Sequence, residues 1–177
     1  MNDLLRGELV RLTAHNPETD AEAAARWSAN SEFGRLLDSS PYWPMSLREM
    51  KDNLAAEPTG FSFMIRVLTD DRLIGFVDQG MAQPQHGETW VAIGIGEPEY
   101  WGKGYGTDAM RVALRYGFTE LNLYRVSLGV FSYNERALRS YAKAGFKVEG
   151  RLRRALHRYG QWWDEINMGI LRSEWGL

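Results

Sequence analysis

The chain has 177 residues, 44% of them hydrophobic and 25% charged, with no cysteine and a formal net charge of −2. That length suits one domain, residues 1–177, with a sizeable core; the composition excludes a disordered chain, and the charge gives no basic field for nucleic acid. Without cysteine there are no disulfides, thiolate metal sites or cysteine nucleophile, and His15, His86 and His157 are too scattered to hold a metal. No apolar run reaches membrane-spanning length and the N-terminus lacks a signal-peptide core, so a cytoplasmic protein is expected. Seven tryptophans and eight tyrosines exceed what a core of this size needs, and several are expected to line a cleft.

In chain order, Leu9 to Leu12 reads as a short first strand. Asn16-Pro17 starts an alanine-rich helix through Trp27, with asparagine as N-cap and proline at the first helical position. After a second short helical piece, Pro41-Tyr42-Trp43-Pro44 breaks the chain; Ser46-Leu47-Arg48-Glu49 is a capping box and predicts a helix to about Ala56. Residues 15–56 thus form a helical excursion, either a plain cover on the sheet or a wall for an acceptor substrate. Phe61 to Leu68, Leu73 to Met81 and Trp90 to Ile95 are strands of an antiparallel meander, with turns at Thr69 to Arg72 and Gln83 to Gly87. Behind a glycine-rich turn, Ala109, Val112, Ala113 and Tyr116 form a helical stripe that ends near Asn122. Tyr124 to Phe131 is a strand, Asn134 caps a helix from Glu135 to Ala144, and Gly145 stops it. Phe146 to Leu171 reads as two long strands turning at Tyr159-Gly160-Gln161. The order β-α-α-β-β-β-α-β-α-β-β predicts an α/β (α+β) fold: a mixed, mostly antiparallel sheet of about seven strands with about four helices on its faces.

The glycine-rich turn is Gly96-Glu-Pro-Glu-Tyr-Trp101-Gly-Lys-Gly-Tyr-Gly-Thr107, between a strand and a helix. That arrangement suits a phosphate, because glycines let N–H groups approach an anion and the helix dipole adds attraction. Two nucleotide fingerprints fail. A P-loop has four residues between its first glycine and Gly-Lys-Ser/Thr, whereas five separate Gly96 from Gly102-Lys103, and Gly104 replaces the hydroxyl. A dinucleotide site has Gly-x-Gly-x-x-Gly and an acid about 20 residues on; here Gly102, Gly104 and Gly106 alternate, and no such acid closes a downstream strand. Taken alone, the loop either holds a phosphate in another way or simply turns the chain.

Residues 96–107, with Asn134-Glu-Arg-Ala137-Leu-Arg-Ser-Tyr141-Ala-Lys-Ala-Gly145-Phe146, resemble the GNAT superfamily of acyl-CoA-dependent N-acetyltransferases. The tail matches too, in Glu149-Gly-Arg-Leu-Arg, Trp163-Asp-Glu165, Met168 and Leu171-Arg172. The likeness is strongest to the RimJ/RimL-like branch, named for N-terminal acetyltransferases of ribosomal proteins. It covers nearly the whole chain, strongly from about residue 88 to residue 172. The family's pyrophosphate loop, commonly Gln/Arg-x-x-Gly-x-Gly/Ala, places its last two glycines on Gly104 and Gly106. Its opening position is Trp101, as in the RimJ/RimL-like branch.

The resemblance implies that the N–H groups of Gly102, Lys103, Gly104, Tyr105, Gly106 and Thr107 hold the diphosphate of acetyl-CoA; the Lys103 charge either assists or is simply solvated. It implies a GNAT fold whose sheet splays between Trp90–Ile95 and Tyr124–Phe131. Pantetheine would pair there with Ile93, Gly94 and Ile95 like an added strand, and N–H groups of the same stretch would stabilise an oxyanion. Gly94 marks either a close approach or a relief of twist. Asn134 and Tyr141 lie two helical turns apart on one face, about 10 Å from each other. Asn134 is explained as an N-cap, to which the resemblance adds contact with the pantetheine arm. Tyr141 would protonate the departing thiolate, a role its phenol (pKa about 10) suits; core packing is the alternative.

The base is less clearly written. Many relatives carry a glutamate at the position of Trp90, so the usual carboxylate is missing or displaced. Glu88, two residues earlier on the same strand face, is the substitute, acting through water, or else an exposed strand-end acid. Asp164 or Glu165 comes next, and a bound α-amine (pKa about 8) needs little help. His157 with Arg151, Arg153, Arg154 and Arg158 gives the tail hairpin a basic strip, paired across the turn with Asp164 and Glu165 or facing an anionic acceptor. Trp90, Trp162 and Trp163 are candidates to wall the cleft. With no cysteine and no Ser–His–Asp pattern, direct transfer in a ternary complex to a primary amine is expected. The acceptor would be a peptide α-amine or a small-molecule amine. No metal, nucleic acid or membrane partner is expected, and a homodimer is implied by the branch. The rival function is a non-catalytic acyl-CoA-binding or sensing module.

Overall fold

A computed structural model describes residues 3–56, 59–83 and 86–176. Its elements are β1 (Val10–Thr13), α1 (Pro17–Ser28), α2 (Ser31–Leu37), α3 (Leu47–Ala55), β2 (Phe61–Val67), β3 (Leu73–Gln83) and β4 (Glu88–Ile95). They continue with α4 (Tyr105–Thr119), β5 (Arg125–Phe131), α5 (Glu135–Ala144), β6 (Lys147–Arg158) and β7 (Gln161–Leu171). The expected turn at Gln83 to Gly87 lies partly outside the described residues. Five helices form where about four are expected. The short helix α2 makes the difference, its N-terminus fixed by Asn30, whose side chain accepts from the N–H groups of Glu32 and Phe33.

The seven strands form one sheet in the order β1-β2-β3-β4-β5-β7-β6. All neighbours are antiparallel except β4 and β5. A parallel pair needs a crossover, and α4 provides it. This helix buries Ala109, Met110, Val112, Ala113, Leu114 and Phe118 in the large core, which also holds Val10, Ile65, Val77, Val91 and Val126. Strand alternation builds a second, smaller core on the opposite face. Ile65 belongs to the large core, and its neighbour Met64 packs with Ala24, Trp27, Phe33 and Leu73 under the helical excursion. Both faces of the β2–β3 region are therefore covered, one by α4 and the other by α1–α3. Among the described residues no helix is long and apolar enough to cross a membrane.

Candidate active site

The glycine turn does what its sequence suggests locally. Gly102 and Gly104 take φ values of 74° and 93°, a left-handed region that residues with a Cβ resist. Gly104 occupies the N-cap position of α4, and no side chain caps the helix. Among the described residues, the N–H groups of 102–107 meet no protein acceptor; the helix's first bond runs from Asp108 N–H to the Gly104 carbonyl at 2.9 Å. Gly102, Gly104, Gly106 and Thr107 line a cavity of about 890 Å³. The one acid of the first turn, Asp108, is already engaged. Its carboxylate accepts the N–H groups of Glu8, Leu9 and Val10 at 3.1, 2.8 and 3.1 Å.

Positive charge at this cavity comes from helices. Arg111 on α4 and Arg136, Arg139 and Lys143 on α5 line it. Lys103 is exposed, makes no ion pair among the described residues and is absent from the lining, as is Tyr105, which packs edge-on against Tyr100. The available signal was the spacing 136, 139, 143, one face of a helix. Trp101 fixes the turn in place. Its indole N–H donates to the Ile95 carbonyl at 2.6 Å, and the Arg136 guanidinium lies 3.8 Å from its ring centre.

From the turn, the cavity follows the gap between β4 and β5. These strands pair only over Glu88–Trp90 with Arg125–Ser127 and then separate. Gly96 N–H donates to the Ile74 carbonyl at 2.8 Å. Counting back from that bond, alternation turns the backbone of Gly94 toward β3 and that of Ile93 and Ile95 toward the gap. Ile93 and the N–H of Ile95 therefore offer the free edge, the Ile95 carbonyl being taken by Trp101, whereas Gly94 has its groups on β3. Gly94 is small for another reason: an added Cβ would come within 2.9 Å of the rings of both Phe33 and Phe76.

Tyr141 lines the same cavity from α5, and burial pushes its phenol up to about 12. It keeps its proton throughout the neutral range. Against a thiolate (about 8.5 for an unperturbed thiol) full transfer would be uphill, so such an O–H would serve first as a hydrogen-bond donor. Asn134 lines the cavity too, but both ends of its amide have protein partners. Oδ1 accepts Ala137 N–H at 3.1 Å, and Nδ2 donates to the Leu36 carbonyl at 3.4 Å.

The structure does not bring Glu88 to this groove. It sits at the paired end of the β4–β5 strands, 3.5 Å from the Arg125 guanidinium and accepting from Ser127 Oγ at 3.3 Å. The cavity begins two residues further on, at Trp90. Asp164 is exposed to pairing rather than to the groove: Arg154 N–H, then the Arg151 guanidinium, hold its carboxyl below the usual range. Glu165 does face the cavity, over Gly129, where a Cβ would come within 2.5 Å of its carboxylate.

The basic strip divides. Arg158 donates to the carbonyls of Arg35, Asp38, Ser39 and Ser40 and to Tyr133 Oη, latching the tail hairpin to the end of α2. His157 packs edge-on against Trp162, and Trp163 against Tyr133. Of the three tryptophans, Trp90 lines the groove.

A second cavity of about 1030 Å³ lies between α1–α3 and the facing side of β2 and β3. Asp78 on β3 lines both cavities. Ser62 O–H donates to its Oδ1, and Ser62 Oγ is 2.8 Å from His15 Nε2. Burial raises the Asp78 carboxyl above its usual range, and the Ser62 bond and His15 offset this only in part. Serine, histidine and aspartate do meet here, but the hydroxyl bridges the other two, so no imidazole stands between it and the acid as a nucleophile's base requires. Asp78 is not among the candidates that the sequence alone offers. Its signal is a lone acid in the middle of an otherwise uncharged central strand.

These features fit what is known of similar proteins. A family model described as "Acetyltransferase (GNAT) domain" matches residues 10–147. An uncharacterized N-acetyltransferase of Bacillus subtilis, YokL, derived from the SPbeta prophage, is 30% identical over 97% of this chain and 94% of its own. Spermidine N(1)-acetyltransferase of Escherichia coli is 45% identical over 44% of this chain and 42% of its own. Among solved structures, a GNAT-family acetyltransferase from Bacillus anthracis superposes with a TM-score of 0.82 at 21% identity, covering 96% of this chain and 99% of that one. Spermidine N-acetyltransferase from Vibrio cholerae, solved with CoA and spermine, gives 0.81 at 25% identity, covering 94% and 97%. With a mostly antiparallel seven-stranded sheet, a splay beside the glycine turn and these relatives, the chain belongs to the GNAT family of acetyltransferases.

Proposed function

We propose that this acetyltransferase moves the acetyl group of acetyl-CoA directly to a primary amine, a peptide α-amine or a small-molecule amine, with both substrates bound together. The observation that carries this reading is the run of unpaired N–H groups at 102–107, of which Gly102, Gly104, Gly106 and Thr107 line the same cavity as the free edge of β4 and Tyr141. A diphosphate suits six such donors at a helix mouth flanked by Arg111, Arg136, Arg139 and Lys143. Ile93 and Ile95 would pair with the pantetheine arm, and their N–H groups would hold the carbonyl oxygen as it gains charge. Acetyl-CoA supplies the acetyl group already activated as a thioester. Tyr141 hydrogen-bonds the leaving sulfur and yields its proton. With no cysteine in the chain, direct attack by the amine is the simplest course.

The assignment to the RimJ/RimL-like branch, the single domain spanning residues 1–177, a cytoplasmic location and a homodimer belong to the same proposal; the branch and the homodimer rest on the resemblance of residues 88–172, the single domain on the chain's length, and the location is the default for such a sequence. The test is release of free thiol from acetyl-CoA across a panel of amines. Turnover with any primary amine is the expected result. Tight binding of acetyl-CoA without turnover on any amine would point instead to an acyl-CoA sensor.

A further inference from the structure

The cavity under the helical excursion takes none of its lining from the glycine turn or from the free edge of β4. At about 1030 Å³ it is large enough to enclose a small organic ligand. Its wall carries six aromatic rings, from Trp27, Phe33, Tyr42, Trp43, Phe61 and Phe76. Among the described residues, the titratable acids and bases on that wall besides tyrosine are Asp38, Asp78 and His15, with no lysine, arginine or glutamate. Asp38 is exposed and its carboxylate already accepts Ser40 N–H with Arg158 beside it, which leaves Asp78 as the more buried, less engaged carboxylate, so the wall suits one ammonium. Each further charge would be desolvated without a partner, and an anionic acceptor would meet no cation.

Asp78 occupies the place where such an ammonium would meet the donor. It pairs across the β3–β4 ladder with Ala92, whose neighbour Ile93 turns its N–H toward the donor gap. Its carboxylate is therefore based about one strand spacing (~4.8 Å) from the free edge. Ser62 engages Oδ1, and among the described residues Oδ2 has no protein donor.

We propose that this cavity takes the body of the acceptor, that the acceptor is a primary monoamine bearing an aromatic or bulky aliphatic group, and that Asp78 holds and deprotonates its ammonium. This rests on the acetyl-transfer reading and narrows it. One ammonium proton passes to Asp78, and the freed lone pair forms the C–N bond to the acetyl carbon. The C–S bond breaks, and sulfur leaves as the thiol with the Tyr141 proton. The nitrogen's surplus proton returns to the Tyr141 phenolate through water, and Asp78 releases its own to solvent. Ser62 is a positioning residue that orients the carboxylate.

Around Asp78 the titratable groups are His15 after β1, Asp38 after α2 and Glu165 across the gap on β7; β2 and β4 present Ser62, Trp90 and Ala92. Protonation of Asp78 would produce an acid limb in kcat/KM, above the usual carboxylate range because of burial. The linked stability effect has a definite sign. An ionised Asp78 is the disfavoured form in the fold, so its destabilisation is absent below the ordinary value of 3.8 and complete above the raised one. Asp78→Asn should therefore raise Tm at neutral pH and not at about pH 3.

The test measures thiol release with 2-phenylethylamine, tryptamine, spermidine, spermine and a peptide α-amine. Amine binding is followed separately by tryptophan fluorescence with CoA present, since Trp27 and Trp43 line the cavity. The expected kcat/KM for an arylalkylamine is at least 100-fold above that for spermidine, with a fluorescence change that spermidine does not produce. Asp78→Asn should lower kcat at least 100-fold and abolish the acid limb. Trp43→Glu, at a side chain 68% exposed and so compatible with folding, should raise KM for the arylalkylamine at least tenfold and leave kcat in place. Preference for a polyamine or the peptide, or loss of the acid limb in Glu165→Gln rather than in Asp78→Asn, would overturn the inference and leave the acetyl-transfer reading standing. Acetyl-CoA binding without turnover of any amine would overturn both.

Discussion

The donor groove and the cavity under the excursion are adjoining spaces made by different means. The groove is shaped by main chain: two glycines at positive φ, six unpaired N–H groups and a strand edge left open where β4 parts from β5. The cavity beside it is shaped by side chains, with aromatic rings gathered from α1, α2, the loop before α3 and two strands. Backbone donors would recognise what every acetyl donor has in common. Side-chain walls would recognise what distinguishes one acceptor from another. Substitutions should therefore separate the two, with donor affinity failing on one side and acceptor choice on the other.

The largest effect belongs to the main chain. Gly104→Val puts a β-branched residue at φ 93° in the N-cap of α4, a conformation such residues avoid. The dissociation constant for acetyl-CoA, measured by calorimetry, should rise at least 100-fold. Next is Tyr141→Phe, which should lower kcat at least tenfold with acetyl-CoA affinity changed less than twofold. Because burial holds the wild-type phenol near 12, its ionisation should produce no loss of rate as pH rises from about 8 to its ordinary value of about 10.

Smaller changes probe the boundary between the two spaces. Arg158→Ala removes the donors that latch the tail hairpin to residues 35–40; hydrogen bonds to charged groups contribute about 1.5–3 kcal/mol. KM for the amine should rise roughly three- to tenfold, with acetyl-CoA affinity held. An equal loss of donor affinity would show that the spaces are not separable. Glu88→Gln should change kcat/KM less than twofold, since this carboxylate is paired with Arg125 at the closed end of the strands. A large loss there would restore it as the base.

The same division explains what the sequence made legible. Strand, glycine turn and helix are consecutive in the chain, so residues 93–107 announce their own geometry, and Asn134 and Gly145 mark both ends of α5. Asp78 was hidden because its partners come from afar: Ser62 on the neighbouring strand and His15 from before α1. The close approach at Gly94 comes from a pair of rings, Phe33 and Phe76, one of them 61 positions away, which the local sequence does not name. Glu88 looked like a base by its face of the strand. Where β4 and β5 stop pairing, which decides whether that face opens on a cavity, is a property of the sheet and not of the strand.

Asp108 leaves one more consequence. Its carboxylate stands in the first turn of the helix that would receive the diphosphate, yet three N–H groups of residues 8–10 surround it. The start of the chain thereby acts as a shield, muting a negative charge that would otherwise repel the incoming nucleotide. Trimming the protein past its first strand would unmask that charge, and coenzyme binding should weaken by repulsion as well as by loss of the cavity wall that Glu8 and Leu9 supply.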